Sequence, residues 1–129
     1  MEYLFLLSRL LFGGFWLYNG INHFRKAAML EPYTASKSVP APKAAVYGTG
    51  IMLIIAGAGI ILGIYVPFAV FLLALFLIPV TLIMHNFWTV KEPMARMTEQ
   101  VMFMKNAALL GAAIAYLFVP LPWPLSLLS

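Results

Sequence analysis

Cysteine is absent from the 129-residue chain, and charged side chains are scarce. The lack of cysteine excludes thiol–disulfide relays, thiolate metal sites, iron–sulfur ligation and covalent c-type haem attachment. Charged residues make up 9% of the sequence, against about 25% in a soluble domain. Hydrophobic residues make up 64%, and the mean hydropathy is +0.96. A soluble fold of this length does not bury so much apolar surface, so the composition indicates a membrane protein.

The motifs of several enzyme classes are also missing. The sequence contains no Walker loop, dinucleotide-binding fingerprint, HExxH zinc motif or Gly-x-Ser-x-Gly elbow. The net charge of +4 comes from residues between the apolar runs. We therefore interpret the basic balance as contact with anionic lipid headgroups, and we predict no nucleic-acid partner.

Four continuous apolar runs have the length needed to span a bilayer, about 20 residues each. They cover approximately residues 3–23, 44–64, 67–88 and 101–119. The sequence thus predicts an all-α membrane protein, a single four-transmembrane-helix bundle over residues 1–129. Residues 24–38 in loop one are expected to form a short interfacial helix, ended by the prolines that follow.

The first apolar run is expected to remain as helix one. A removable leader has a basic start and a small-x-small cleavage site, and Met1-Glu2-Tyr3 carries no basic side chain. Basic residues then predict the orientation. The loop between helices one and two (loop one) and the loop between helices three and four (loop three) contain Arg25, Lys26, Lys37, Lys43, Lys91 and Arg96. The loop between helices two and three (loop two) and the C-terminal tail contain no Lys or Arg. The positive-inside rule places loops one and three in the cytoplasm and both termini outside.

Helix one has one distinctive face. Arg9, Gly13, Trp16, Gly20 and His23 recur at helical spacing, and the two glycines favour close approach of a neighbouring helix. Small residues also occur in helix two, including the pair Gly59-x-x-x-Gly63, and in helix four at Ala107, Gly111 and Ala115. We expect these faces to pack within the bundle, the alternative being a dimer or partner-docking face.

Polar residues within a membrane are costly and therefore mark candidate functional sites. Under the predicted topology, the ends of helices one and three and the start of helix four meet in one leaflet. The polar and aromatic residues there are Asn19, Asn22, His23, His85, Asn86, Trp88, Glu99 and Asn106. This convergence predicts a polar site at the cytoplasmic side.

Two cations lie inside predicted helices. Arg9 is interpreted either as an anchor that extends to the headgroups or as a cation facing the bundle, ready for an anionic or carbonyl ligand. Lys105 is interpreted either as reaching back to the basic rim or as part of the same ligand site.

His23 and His85 are the two histidines of the chain and are predicted at equal depth on different helices. Three readings remain open. The pair could ligate the iron of a haem b. It could bond a quinone carbonyl, with Trp16, Trp88 and Phe103 flanking the ring, because imidazole exchanges protons near neutral pH. It could also bond only backbone carbonyls and headgroups.

Several segments together resemble the DoxX family. They are residues 9–14 (RLLFGG), 19–24 (NGINHF), 39–42 (VPAP), 85–88 (HNFW) and 103–111 (FMKNAALLG). The resemblance covers nearly the whole chain. It implies a four-helix membrane subunit, located in the cytoplasmic (inner) membrane of a prokaryote and linked to quinone-dependent or sulfur-dependent electron transfer or to redox-stress defence.

The motif positions that the resemblance carries over are Arg9, His23, His85, Asn86, Lys105 and Asn106. The chain lacks the cysteines of some family branches, so it does not supply thiol chemistry itself. Three functions compete. The first is a quinone-binding or lipid-binding subunit, enzymatic only as an accessory of a quinone-linked oxidoreductase, with Glu99 relaying protons. The second is an anchor or receptor for a membrane or soluble partner protein, or for a second copy. The third is a small transporter component.

Overall fold

The computed structural model describes residues 1–127, and all regular structure in that range is helical. The α-helices are α1 (Glu2–Arg25), α2 (Ala27–Ser36), α3 (Pro42–Leu62), α4 (Val66–Met84) and α5 (Pro93–Tyr116). A 3₁₀ helix, Phe87–Thr89, joins α4 to α5. The all-α bundle of four long helices, with a short helix in loop one, is confirmed. Residues 128–129, the end of the predicted external tail, lie outside the described residues.

Three segments in the described part of the chain are long and apolar enough to cross a membrane. They are α1, α3, and α4 together with its extension to Thr89. Helix α5 has the same length as α1, 24 residues, and four of its polar side chains, Arg96, Thr98, Glu99 and Gln100, lie close together near its start. The chain is therefore a multi-pass membrane protein.

Helix α5 begins at Pro93, eight residues before the expected start near residue 101. The Glu92 carboxylate caps the helix, accepting from Met94 N at 3.1 Å and from Ala95 N at 2.7 Å. Proline at the first helical position needs no hydrogen-bond partner for its nitrogen, and glutamate before it can cap the helix. The sequence Glu92-Pro93 therefore strongly favours the start of a helix. Glu99 consequently lies on a helix and not in a loop.

Helices α1 and α3 make close backbone contact. A Cβ atom built on Gly57 would lie 2.6 Å from Gly13 O, and one built on Gly20 would lie 2.8 Å from Gly50 O. Only glycine fits at such distances. The predicted face of helix one is confirmed, since Arg9, Gly13, Trp16 and Gly20 are its buried residues.

The other predicted small-residue faces have different roles. Gly59 faces Ala69, and Gly63 ends α3 in a left-handed conformation at φ 70°. Gly59 therefore packs within the bundle against α4, as expected, and Gly63 forms the end of α3. On α5, Ala107, Gly111 and Ala115 are exposed, so the expectation that this face packs within the chain is wrong.

Arg9 is buried, with 1% of its surface exposed, and it binds backbone carbonyls at the end of the bundle where α3 finishes. Its guanidinium donates to Ile60 O at 3.2 Å and Ile61 O at 2.6 Å in α3. It also donates to Pro124 O at 2.8 Å and Leu125 O at 3.3 Å in the C-terminal segment. The reading of Arg9 as an anchor in the headgroups is thus wrong, because the guanidinium points into protein.

These bonds satisfy the carbonyls that the last turn of α3 leaves free. Gly59 O accepts from Gly63 N and Ile64 N, and Leu62 O accepts from Leu127 N at 2.9 Å. Trp123, 1% exposed, lies between the rings of Phe5 and Tyr116 and beside the guanidinium. We call this region the tail end, and the opposite end, which carries α2, the loop end.

We expect Gly57→Ala to destabilise the protein by about 1–3 kcal/mol, because the methyl group overlaps the backbone of α1. Gly48→Ala on the same helix is the matched control, since a Cβ there meets no atom within 4 Å. The control should be neutral or stabilising by about 0.5–1 kcal/mol. Thermal denaturation in detergent measures both. Equal stability of the two variants would contradict the backbone contact.

We expect Arg9→Ala to lower stability by about 3 kcal/mol and to make residues 117–127 sensitive to protease, because buried carbonyls lose their donor. Arg25→Ala, at the exposed end of α1, is the control and should change neither measurement. Limited proteolysis with mass spectrometry locates the cleavage. A protected tail in Arg9→Ala would show that other contacts hold it.

Candidate functional site

A cavity of about 390 Å³ lies at the loop end, between α1, α2, α3 and α4, with Met102 contributed by α5. This volume is within the range of small-molecule sites, about 300–1,000 Å³. Its wall is mainly apolar, including Val46, Phe76 and Ile83. Its polar members are His23, Tyr33, Thr34, Thr49 and His85. The two histidines predicted at equal depth therefore line one cavity.

His23 is held by α3. Its Nδ1 atom lies 2.9 Å from Val46 O and 3.0 Å from Thr49 Oγ1. The Thr49 hydroxyl donates to Ala45 O at 2.6 Å, so its oxygen is free to accept from the imidazole. Since a carbonyl oxygen only accepts, Nδ1 carries the proton.

His85 follows the last residue of α4 and is held by α5. Its Nδ1 atom lies 2.7 Å from Glu99 Oε2, and the pair is mostly buried, with side chains 12% and 19% exposed. The Glu99 carboxylate accepts a hydrogen bond from Nδ1–H, so this ring nitrogen carries a proton.

Both imidazoles consequently present Nε2 to other partners. Neither Nε2 atom has a hydrogen bond to any residue in the range 1–127. In the neutral ring this atom accepts a hydrogen bond, and in the protonated ring it donates one. The cavity can therefore bind a ligand with hydroxyl or carbonyl groups and exchange a proton with it.

Helix α2 covers the cavity and is tied to the helices beneath it. The Tyr33 hydroxyl lies 3.1 Å from Met84 O and 3.2 Å from Glu99 Oε1. Lys37 donates to Asn86 Oδ1 at 2.8 Å. Burial raises the pKa of Tyr33 to about 12, and the Glu99 carboxylate adds to the rise. The phenol thus keeps its proton and donates at physiological pH.

The structure brings together four of the residues singled out in the sequence: His23, His85, Asn86 and Glu99. Asn19 bonds the carbonyl of Phe15 in its own helix. Arg9 lies at the tail end. Trp88 is half exposed, and Asn106 is buried in α5 without lining the cavity. Lys105 is exposed, with its ammonium 6.0 Å from the ring of Phe15 instead of at the basic rim.

None of the three rings expected to flank a ligand lines the cavity. Trp16 is buried in the core against Phe76, and Phe76 itself lines the wall. Trp88 and Phe103 pack on each other, with ring centroids 6.0 Å apart. Phe76 and Tyr33 are therefore the phenyl and phenol side chains in position to contact a ligand ring.

Three polar members of the site, Tyr33, Thr34 and Thr49, are missing from the sequence prediction. Thr49 and Tyr47 are the only polar side chains in the expected helix 44–64, and this rarity could have identified Thr49. Tyr33 lies within the interfacial helix predicted over residues 24–38, and its hydroxyl is the group that bonds Met84 O and Glu99. In the described part of the chain, no three metal-binding side chains converge, and the haem alternative rests on His23 and His85 alone.

A bundle of long apolar helices with a two-histidine cavity at one end defines a small multi-pass membrane protein with a ligand-sized site. The sequence model of the DoxX family matches residues 4–86, more than half of the chain, and the chain belongs to that family. The match includes both histidines and ends before α5. No curated protein and no solved structure matches the chain.

We expect one of the six tyrosines to titrate with a pKa of about 12, and this titration to disappear in Tyr33→Phe. The unfolded chain ionises near the ordinary value of 10.0, so the Tyr33 contribution to stability is full below pH 10 and falls as the pH rises to about 12. Phenolate absorbance during a pH titration measures the pKa. Tyr65→Phe, at an exposed residue, is the control. A late titration that persists in Tyr33→Phe would belong to another tyrosine.

Proposed function

We propose that this DoxX-family protein is a multi-pass membrane subunit that binds the ring of a membrane quinone in a redox or oxidative-stress-linked complex. The observation that carries the proposal is the cavity at the loop end, in which His23 and His85 have their Nδ1 atoms engaged and their Nε2 atoms available. By the distribution of basic loop residues, we place this end in the cytoplasm.

The cavity wall suits a flat, apolar ring. Val46, Phe76 and Ile83 offer apolar contact, and hydrogen-bonding groups lie at a few positions only. Small-molecule sites commonly have this composition, since apolar contact supplies affinity and a few polar groups fix orientation.

The proton positions favour the reduced ring. With Nδ1 donating to Val46 O or Glu99, the neutral imidazoles offer Nε2 as acceptors, which match the hydroxyl groups of a quinol. The oxidised ring has carbonyl oxygens and needs a protonated imidazole as donor. The Glu99 carboxylate occupies the opposite ring nitrogen of His85, so we assign His85 Nε2 as an acceptor of a proton released when the quinol is oxidised.

The electrons of the quinol are outside the role assigned to this chain. Oxidation of a quinol releases two protons and two electrons. We assign to this chain the binding of the ring and the acceptance of the two protons at the Nε2 atoms of His23 and His85, and a redox centre in a partner protein accepts both electrons. The partly exposed Glu99 is the group through which the proton accepted by His85 leaves toward water.

We expect decylubiquinol to bind the detergent-solubilised protein more tightly than decylubiquinone, and His85→Phe or His23→Phe to weaken quinol binding about tenfold or more. A hydrogen bond lost in a buried site accounts for a factor of this size. Isothermal titration calorimetry under anaerobic conditions measures the binding constants. Asn19→Ala is the control, because Asn19 bonds only its own helix.

Binding of neither form, or equal binding by the wild type and both histidine variants, would overturn the proposal. Folding of each variant is checked by its melting temperature. Removal of His85 by His85→Ala also separates the proposal from the anchor alternative, under which partner binding survives the change.

A further inference from the structure

The first and last membrane helices leave an open groove along the side of the bundle. Helix α1 packs on α3, α3 on α4 and α4 on α5, and α5 does not close against α1. The groove has a volume of about 740 Å³ and is lined by α1 and α5 together with Val119. Its lining includes Phe12, Phe15, Leu109, Ala112 and Ala115. Ser8 Oγ and Tyr116 Oη, 2.7 Å apart, bridge it near the tail end.

A cation lies at one side of this groove, far from either end of the helices. Lys105 is the thirteenth residue of α5, and its ammonium is 6.0 Å from the ring centroid of Phe15. Phe15 precedes Arg25, the last residue of α1, by ten residues, which is about 15 Å along the helix. The hydrocarbon core is about 30 Å thick, so the ammonium lies near its middle.

No carboxylate among residues 1–127 neutralises Lys105. The one ion pair in that range joins His85 to Glu99. Glu2 and Glu92 lie at helix ends, and Glu31 lies within α2 at the loop end. Glu99 is six residues, about 9 Å, nearer the loop end than Lys105. A charge at this depth is costly unless it is paired, so an anion from outside this chain is the expected partner.

The depth of the Lys105 ammonium in the membrane determines which kind of anion can pair with it. Lipid phosphates lie at the membrane surface and do not reach the middle of the core. A second copy of this chain brings no free carboxylate to the same depth, because its glutamates have the positions just given. A transmembrane helix of a different protein can carry Asp or Glu at mid-depth. The exposed Ala112 and Ala115 also let a helix approach α5 closely.

We propose that the groove between α1 and α5 receives a transmembrane helix of another membrane protein, whose mid-depth carboxylate pairs with Lys105. This interface is independent of the quinone proposal, since the residues lining the groove and those lining the cavity are different. A result that contradicts the α1–α5 interface therefore leaves the quinone proposal unchanged.

The test uses a synthetic transmembrane peptide of about 21 leucine and alanine residues with one central glutamate. Energy transfer between labelled peptide and labelled full-length protein in phosphatidylcholine vesicles measures association. The central-glutamate peptide should bind at least about tenfold more tightly than peptides with central glutamine or with glutamate near one end. Lys105→Gln should remove this preference, and Ala112→Leu should weaken binding by filling the groove. Lys91→Gln, in the connection before α5, is the control and should bind as the wild type does.

A charge exchange completes the test. Lys105→Glu should prefer a peptide with central lysine over the glutamate peptide. Equal binding of glutamate and glutamine peptides by the wild type, or a preference unchanged in Lys105→Gln, would overturn the proposal. Self-association of labelled protein that requires Lys105 and excludes the peptide would also overturn it, by assigning the groove to a second copy.

Discussion

Backbone contact between α1 and α3 determines where both polar ends of the molecule lie. Gly13 and Gly20 on α1 meet Gly57 and Gly50 on α3 at distances that leave no room for a side chain. Arg9 and His23 lie on the same face of α1, on either side of the two glycines. Arg9 therefore bonds the final carbonyls of α3, and His23 bonds the carbonyl of Val46 near the start of α3. A shift between these helices would displace both groups together.

The two ends differ in how completely their polar groups are satisfied. At the tail end, the Arg9 guanidinium donates hydrogen bonds to the free carbonyls in the last turn of α3, and the buried Trp123 side chain packs beside them. At the loop end, His23 and His85 each retain a ring nitrogen without a partner in the described chain. A polar group in a membrane is stabilised by being paired, so an end with spare capacity is suited to ligands and a fully paired end to structure.

Much of this arrangement follows from sequence pattern. Helical periodicity identifies the buried face of α1, and the convergence of His23, His85 and Glu99 follows from helix topology. The partners of Arg9 could not be deduced in this way, because every residue has a carbonyl and only the folded chain shows which ones are free. The predicted start of α5 near residue 101 is wrong, because the apolar run begins there whereas the Glu92-Pro93 cap starts the helix at Pro93. The small residues Ala107, Gly111 and Ala115 of α5 have the same spacing as small residues that pack within the bundle, so the sequence pattern does not show that they are exposed.

The contacts of Arg9 have a consequence for the order in which the molecule is completed. Two of the carbonyl partners of Arg9 lie 115 and 116 residues further along the chain, at Pro124 and Leu125, and are therefore synthesised well after α1. During biosynthesis, α1 thus carries a cation whose full set of partners does not yet exist. The pairing of this cation is completed only when residues 124–125 have been made and have packed against the end of α3.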